Sequence, residues 1–163
     1  MKKVIAVSLL CAISLFGYDK ADLKQLQREK DCQLCDLSGA DLSGLDLSRA
    51  DLSEANLSGA NLIQTNLHRS NLSNTDLTDA NLSGADIKGA KFVHALMYRT
   101  DLSNTHAWAA NFREAKINRC NFDGAQLGGA KFEKSDLSNS TFKNALLWRV
   151  IYDGVKGEPK KEI

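Results

Sequence analysis

The side chains able to do chemistry are few and scattered. Cys32 and Cys35 form a C-x-x-C pair, and Cys120 stands alone far along the chain. A C-x-x-C admits several readings. A structural disulfide suits a secreted chain and would staple the N-terminal cap to the first coil. A redox-active pair needs a thioredoxin-like setting, and free thiols that merely pack are a further option. Zinc needs two more ligands, which no residue near the pair supplies. Covalent haem attachment needs His after the second Cys, and Asp36 stands there. The histidines are His68, His94 and His106, none beside a recognisable nucleophile or a second metal-ligand candidate. No Gly-rich phosphate loop or nucleophile elbow occurs, so the sequence offers no catalytic residue, no metal site and no cofactor.

The elements that must carry these residues are set by a repeat. Written in fives from Cys35, the chain reads C-D-L-S-G, A-D-L-S-G, L-D-L-S-R, A-D-L-S-E, A-N-L-S-G, A-N-L-I-Q, and stays in phase to Gly154. That is 24 units without an insertion. The third residue of each unit, its centre, is always apolar: Leu37 and Leu57 early, then Phe92, Met97, Phe112, Phe122 and finally Tyr152. Only Ala107 is small among them. The residue two before each centre is almost always Ala, Ser, Thr or Cys, with Leu45 and Val150 as exceptions.

A period of five fits neither the helical 3.6 nor the strand 2.0. Residues two apart face the same side of an extended chain, so the small residue and the centre both point inward. Asp or Asn before the centre, and Ser, Gly or Asn after it, supply turn chemistry. If each unit turns the chain by a quarter circle, four units close a coil of about 20 residues, and stacked coils repeat about every 4.8 Å. On that spacing the rod has about six coils and is roughly 29 Å long. Residues 20 apart then stack. From Asp36 onward no two aspartates are vertical neighbours in the columns before the centres, which avoids like charges about 5 Å apart. Cys120 falls on an inward position between Thr100 and Ser140, as a buried, inert thiol.

This pattern resembles the pentapeptide-repeat family, whose consensus is close to A-(D/N)-L-x-x. The resemblance implies an all-β solenoid, a right-handed quadrilateral parallel β-helix. It also implies that the chemistry of the chain lies on outer surfaces rather than in a cleft.

The ends are read separately. Lys2 and Lys3 followed by the apolar run Val4 to Phe16 outline a secretory signal peptide over residues 1–17, ending at Gly17. The run is shorter than the roughly 20 residues needed to cross a bilayer. Bulky Leu10 before Cys11 argues against a lipoprotein signal. Its removal leaves 19 basic and 20 acidic residues and no stable membrane insertion. The expected location is periplasmic or secreted. Residues 18–34 should form a capping segment, with an amphipathic helix between Asp19 and Asp31. Residues 35–154 form the β-helix and 155–163 a C-terminal tail. The last units change character at Leu146, Trp148, Val150 and Ile151: either a self-packed cap or, as the resemblance suggests, a homodimer contact through the C-terminal coil.

One surface feature stands out of the repeat. Trp108 and Trp148 both follow a centre and lie 40 residues apart, on one face about 10 Å apart along the rod. Gly128 leaves a gap between them, and His68, Lys88, His106 and Arg149 fall on the same face. An aromatic pair rimmed by cations could take a partner loop, a glycan or an aromatic group; a lone exposed Trp108 beside a capping Trp148 is the plainer reading.

Three functions compete. The first is a non-catalytic interaction or structural module of the bacterial cell envelope, with an unnamed protein partner and no nucleic acid. The second is the DNA-mimicking gyrase binding that the resemblance implies for quinolone-resistance members. That role needs a dense acidic surface, whereas Lys91, Lys116, Arg119 and Lys131 interrupt this one. The third is a thiol/disulfide protein built on Cys32 and Cys35.

Overall fold

In the computed structural model, described over residues 17–157 and Pro159, the chain climbs in stacked coils of 20 residues. Residues 1–16 of the predicted signal segment and most of the predicted tail lie outside the described residues. Parallel pairing links each residue before a centre to the one 20 further on, as in Asp36 with Asn56, Asn56 with Asp76 and Asp76 with Leu96. The pattern is a repeat β-helix with four faces. We number them I to IV from the centres Leu37, Leu42, Leu47 and Leu52.

Each unit turns for a local reason. The Asp or Asn side chain before the centre accepts the backbone N–H two residues on, at 3.1 Å for Asp36 with Ser38 and 3.0 Å for Asp46 with Ser48. The next unit's first N–H then donates to the centre's carbonyl, as Ala40 does to Leu37 at 3.0 Å. Between these bonds sits a residue with positive φ, at every corner from Leu34 to Gly154. Glycine takes that conformation freely, yet Arg49, Glu54 and His94 adopt it too. A left-handed non-glycine costs energy, and here the ladder offsets it. The strained residue's N–H donates into the next coil, as Arg49 does to the His68 carbonyl at 2.9 Å.

Only two regular strands occur among the described residues. They are β1 (Leu96–Tyr98) and β2 (Lys116–Asn118), paired in parallel on face I. Elsewhere the ladder is a series of single bridges, because the corner turn interrupts each side after one inward residue.

Inside, the centres are dry. Leu57, Phe92, Phe112 and Phe122 have no exposed surface. Phenylalanines from faces IV and II meet across the axis. Phe112 stacks between Phe92 (4.9 Å) and Phe132 (4.8 Å) and meets Phe122 edge-on at 5.9 Å. The buried inward hydroxyls all donate to backbone carbonyls, Ser70 Oγ to Leu67 O of its own coil at 2.7 Å and Thr65 Oγ1 to Leu42 O of the coil before at 2.8 Å.

Helix α1 (Lys20–Glu29) packs over the first coil. The Asp19 side chain accepts the Ala21 N–H and caps it, while Lys30 closes it in a left-handed conformation with its N–H on Leu26 O. Leu26 is fully buried. The helix also supplies partners that a preceding coil would have given. Asp22 Oδ2 accepts the Asp36 N–H at 2.7 Å, and the Asp19 N–H reaches Asp36 O at 2.9 Å.

The ladder exceeds the bounds 35–154 expected from the repeat. It begins at Asp31, which bridges to Asp51, and ends at Lys156, which bridges to Asp136. Cys32 takes the centre position five residues before Leu37 and has no exposed surface. The unit lacked a small residue at its head, since Lys30 there serves the helix terminus. This extra unit places two aspartates, Asp31 and Asp51, in vertical contact, contrary to the separation read from Asp36 onward. Gln33 relieves the contact by donating to both, at 3.4 and 3.3 Å. In the next coil step the pattern is complementary on every face. Asn56, Asn61, Asn66 and Asn71 each donate a side-chain N–H to the aspartate one coil before, at 3.0–3.3 Å.

At Asp41 and Asp46 hydrogen bonds favour the ionised carboxylate. Ser48, through its hydroxyl and its backbone N–H, and then Lys30 bring Asp46 down to about 2. Ser43 likewise lowers Asp41. A folded-state value below the unfolded one stabilises the protein above about pH 4, and that stabilisation is lost as pH falls through about 4 toward 2. The urea midpoint should therefore drop across this window. A midpoint flat from pH 5 to about pH 2 would show that the aspartate columns contribute nothing to stability.

Candidate functional site

The cysteine pair is internal to the first coil rather than a staple between helix and coil. Cys32, at a centre, and Cys35, at the next inward small position, are joined by a disulfide across the first corner, with Cα atoms 5.3 Å apart. Cys35 is only 4% exposed and Cys32 not at all, so neither sulfur is presented to a substrate. Cys120 is buried among Thr100, Met97 and Ser140, and burial pushes its thiol up to about 11. A thiol held protonated is a poor nucleophile. Among the described residues no group of three or more His, Cys, Asp or Glu is placed to hold a metal. His94 sits 3.7 Å from Glu114 on the outer surface, and His68 and His106 lie in different columns of face III.

The tryptophans do come together. The backbones of Trp108 and Trp148 are two coil steps apart, but their ring centroids are 6.3 Å apart, with planes tilted by 59°. Gly128 leaves no gap: the Trp108 ring lies over it, and a Cβ built there would meet Cζ3 at 2.2 Å. Trp108 Nε1 donates to Gln126 Oε1 at 3.2 Å, which fixes the ring on that side. The Arg149 guanidinium stacks on Trp148 at 4.4 Å. Lys88, one coil before Trp108, is tied to Asp86 at 3.6 Å, and His106 lies on the same face beside Gln126.

Two further residues complete the patch. Leu146 is 56% exposed beside Trp148 (58%), and Ile151 is 38% exposed around the corner, equal to Trp108. Among the described residues, four of the six large exposed apolar side chains thus lie in the C-terminal half of the rod, on faces III and IV. The sequence signalled Leu146 and Ile151 only as polar positions gone apolar. Gln126 was not visible as a partner, because its bond depends on how the indole leans. Beyond this patch no helix covers the last coil among the described residues, and Phe142, Leu147 and Tyr152 are partly exposed.

Gly128→Ala tests the ring's seat. The added methyl must push the Trp108 ring away, since its nearest contacts are ring atoms. We expect the near-ultraviolet circular dichroism of the tryptophan pair to change strongly, with a stability loss under about 1 kcal/mol because the ring is partly solvated. An unchanged tryptophan signal would refute the stacked arrangement.

A rod of stacked 20-residue coils with a filled apolar inside defines a repeat β-helix protein. The family model "Pentapeptide repeats (8 copies)" matches residues 31–69, 65–104, 95–133 and 110–149, and the chain belongs to the pentapeptide-repeat family. No curated protein matched the chain. Among solved structures it is similar to Rfr23, a pentapeptide repeat protein of the cyanobacterium Cyanothece 51142, at 24% identity over 86% of this chain and 95% of that one, with TM-score 0.50. HetL of Nostoc sp. strain PCC 7120, a pentapeptide repeat protein involved in heterocyst differentiation regulation, is 28% identical over 77% and 71% of the two chains, TM-score 0.44. QnrB1 (R167E, trypsin treated), a plasmid-mediated fluoroquinolone resistance protein, is 27% identical over 80% of each, TM-score 0.49.

Proposed function

We propose that this protein is a non-catalytic interaction module of the bacterial cell envelope, a right-handed quadrilateral rod that binds a protein partner through the apolar patch of Trp108, Leu146, Trp148 and Ile151. The carrying observation is that patch: four of the six large apolar side chains exposed among the described residues lie there, two of them tryptophans with their rings together. Trp and Arg dominate binding energy at interfaces when they sit centrally, and Arg149 on Trp148 supplies both. Arg149, and Lys88 although paired to Asp86, give the patch a cationic edge beside His106, so the partner surface should be apolar at its centre and acidic at its rim. The signal segment read from the sequence directs the molecule to the periplasm or beyond.

The alternatives have less support. A DNA mimic needs continuous negative charge, and the outward columns carry Lys91, Lys116 and Lys131 among neutral residues. A thiol/disulfide enzyme needs an accessible sulfur, and Cys32 and Cys35 are enclosed.

Fractionation of cells carrying a tagged copy, followed by crosslinking, tests both halves of the proposal. We expect the processed protein in the periplasmic or extracellular fraction. One dominant crosslinked protein should also disappear with Trp148→Ala. Full-length protein in the cytoplasm would overturn the location; a crosslinked partner indifferent to Trp148→Ala would overturn the surface.

A further inference from the structure

The outward column of face I passes from acidic to basic about an exposed leucine; that of face IV also passes from Asp31 and Asp51 to Lys91 and Lys131, but with no apolar residue between them. The face I column reads Asp36, Asn56, Asp76, Leu96, Lys116, Asp136 and Lys156, one residue per coil step, with Lys156 paired to Asp136 at 3.2 Å. The corner column beside it runs from Asp79 through Arg99 to Arg119. Face II, by contrast, carries no cation in its column (Asp41, Asn61, Asn81, Asp101, Asn121, Thr141).

Asp136 excepted, the sign of the column reverses about Leu96. Consider a two-fold axis lying in the plane of the face, perpendicular to the rod, at the level of Leu96. It lays a second copy antiparallel on the first, with each column over itself in reverse order. Asp76 then faces Lys116 and Asp36 faces Lys156, each pair occurring twice, while in the corner column Arg99, at the level of Leu96, meets its own copy with its charge already paired to Asp79. Asn56 faces Asp136, to which its amide can donate. Leu96, 40% exposed, meets its own copy at the centre. Parallel pairing about an axis along the rod would set the central column on itself in register, carboxylate on carboxylate and ammonium on ammonium.

We propose that face I is the interface of an antiparallel homodimer, self-complementary as a two-fold contact requires. The inference goes beyond the interaction reading above, because it uses a different face and commits to a second copy of this chain. Two observations support it besides the charges. First, Asp76 and Lys116 have no ion-pair partner among the described residues, whereas Lys156 is paired to Asp136 and Asp79 to Arg99, so Asp76 with Lys116 is the contact whose complement the monomer lacks. Second, the centre of the face holds β1 and β2, the one place where the chain runs straight for three residues and can lie flat against a neighbour. A face about 29 Å long and about 15 Å wide falls short of the roughly 800 Å² per partner of a standard interface. The dimer should therefore be concentration-dependent and salt-sensitive, its register set by charge.

Sedimentation equilibrium of the purified protein tests this. At about 50 mM salt we expect a monomer–dimer equilibrium that weakens at least about tenfold at about 0.5 M, where the Debye length is shorter than the ion-pair network. Lys116→Asp should weaken dimerisation at least about tenfold, since it sets carboxylate against carboxylate twice. Leu96→Asp should do the same at the axis. The decisive variant is the swap Asp76→Lys with Lys116→Asp, which should restore the dimer. All these residue types already occupy outward columns of this chain, so the variants should fold, and far-ultraviolet circular dichroism checks that they do. A protein monomeric at every concentration in low salt would overturn the proposal. So would a dimer indifferent to Lys116→Asp and Leu96→Asp but lost with Trp148→Ala or Leu146→Ala, which would put the contact at the C-terminal coil. The face III interaction can be right or wrong independently, because its crosslinked partner should be unaffected by Leu96→Asp.

Discussion

Phe112→Ala should cost about 4–5 kcal/mol of unfolding free energy, near the upper end of the range for losing a buried phenylalanine. The reason is the confinement of the site. Phe112 is stacked on Phe92 and Phe132 and meets the edge of Phe122, so one deletion removes three ring contacts. The cavity cannot close, because its walls are backbone ladders whose spacing is fixed by hydrogen bonds. Phe112 N donates to Lys131 O at 2.7 Å and Asn111 N to Ala90 O at 2.9 Å. Moving either coil inward would break those bonds at every unit. The same coil contains Ala107, the small centre, which gives the ring room. Urea unfolding is the measurement. A loss below about 1.5 kcal/mol would mean that the core relaxes like that of an ordinary globular domain.

Ala110→Asp should be at least as damaging. Ala110 is fully buried at a small inward position between Ala90 and Ala130. A carboxylate there has no cation or free N–H to meet, because neighbouring inward N–H groups already donate along the ladder or across the corner, as Ala110 N does to Ala107 O at 3.1 Å. An uncompensated buried charge costs about 3–5 kcal/mol, comparable with the whole stability of many domains. Ala110→Ser is the control. Ser70 and Ser135 hold equivalent positions with their hydroxyls on Leu67 O and Phe132 O, so serine should cost under about 1 kcal/mol. Thermal melts of the pair should separate widely; equal melts would show that the inward column is wet.

Much of this molecule was legible in its sequence for one reason: a strict period leaves one phase in which all large apolar residues coincide. Leu57, Phe92 and Phe122 declared the core, and residues 20 apart declared the stacking. What escaped depended on a single side chain rather than on the period. Cys32 is a core residue that looks like a redox motif, because sulfur at a centre carries two meanings. Its unit was further disguised by Lys30, which the helix terminus claims. The Asp–Asn columns were visible as an alternation, but not as the Asn56-to-Asp36 donation that gives the alternation a purpose. At the surface patch the face and spacing of Trp108 and Trp148 were readable. The 6.3 Å approach of their rings was not, since it turns on a rotamer and on the absence of a Cβ at Gly128.

The ladder bonds run along the rod, from each coil to the next, and this decides how the molecule yields to force. Tension applied between its two ends loads those bonds one corner after another, in series, instead of shearing a whole sheet at once. The chain should peel turn by turn from the Tyr152 end, where the final coil is least enclosed. Each detached turn of 20 residues should lengthen the tether by roughly 65 Å. A pulling trace should show small, evenly spaced steps, as a spring uncoiling, and no single rupture.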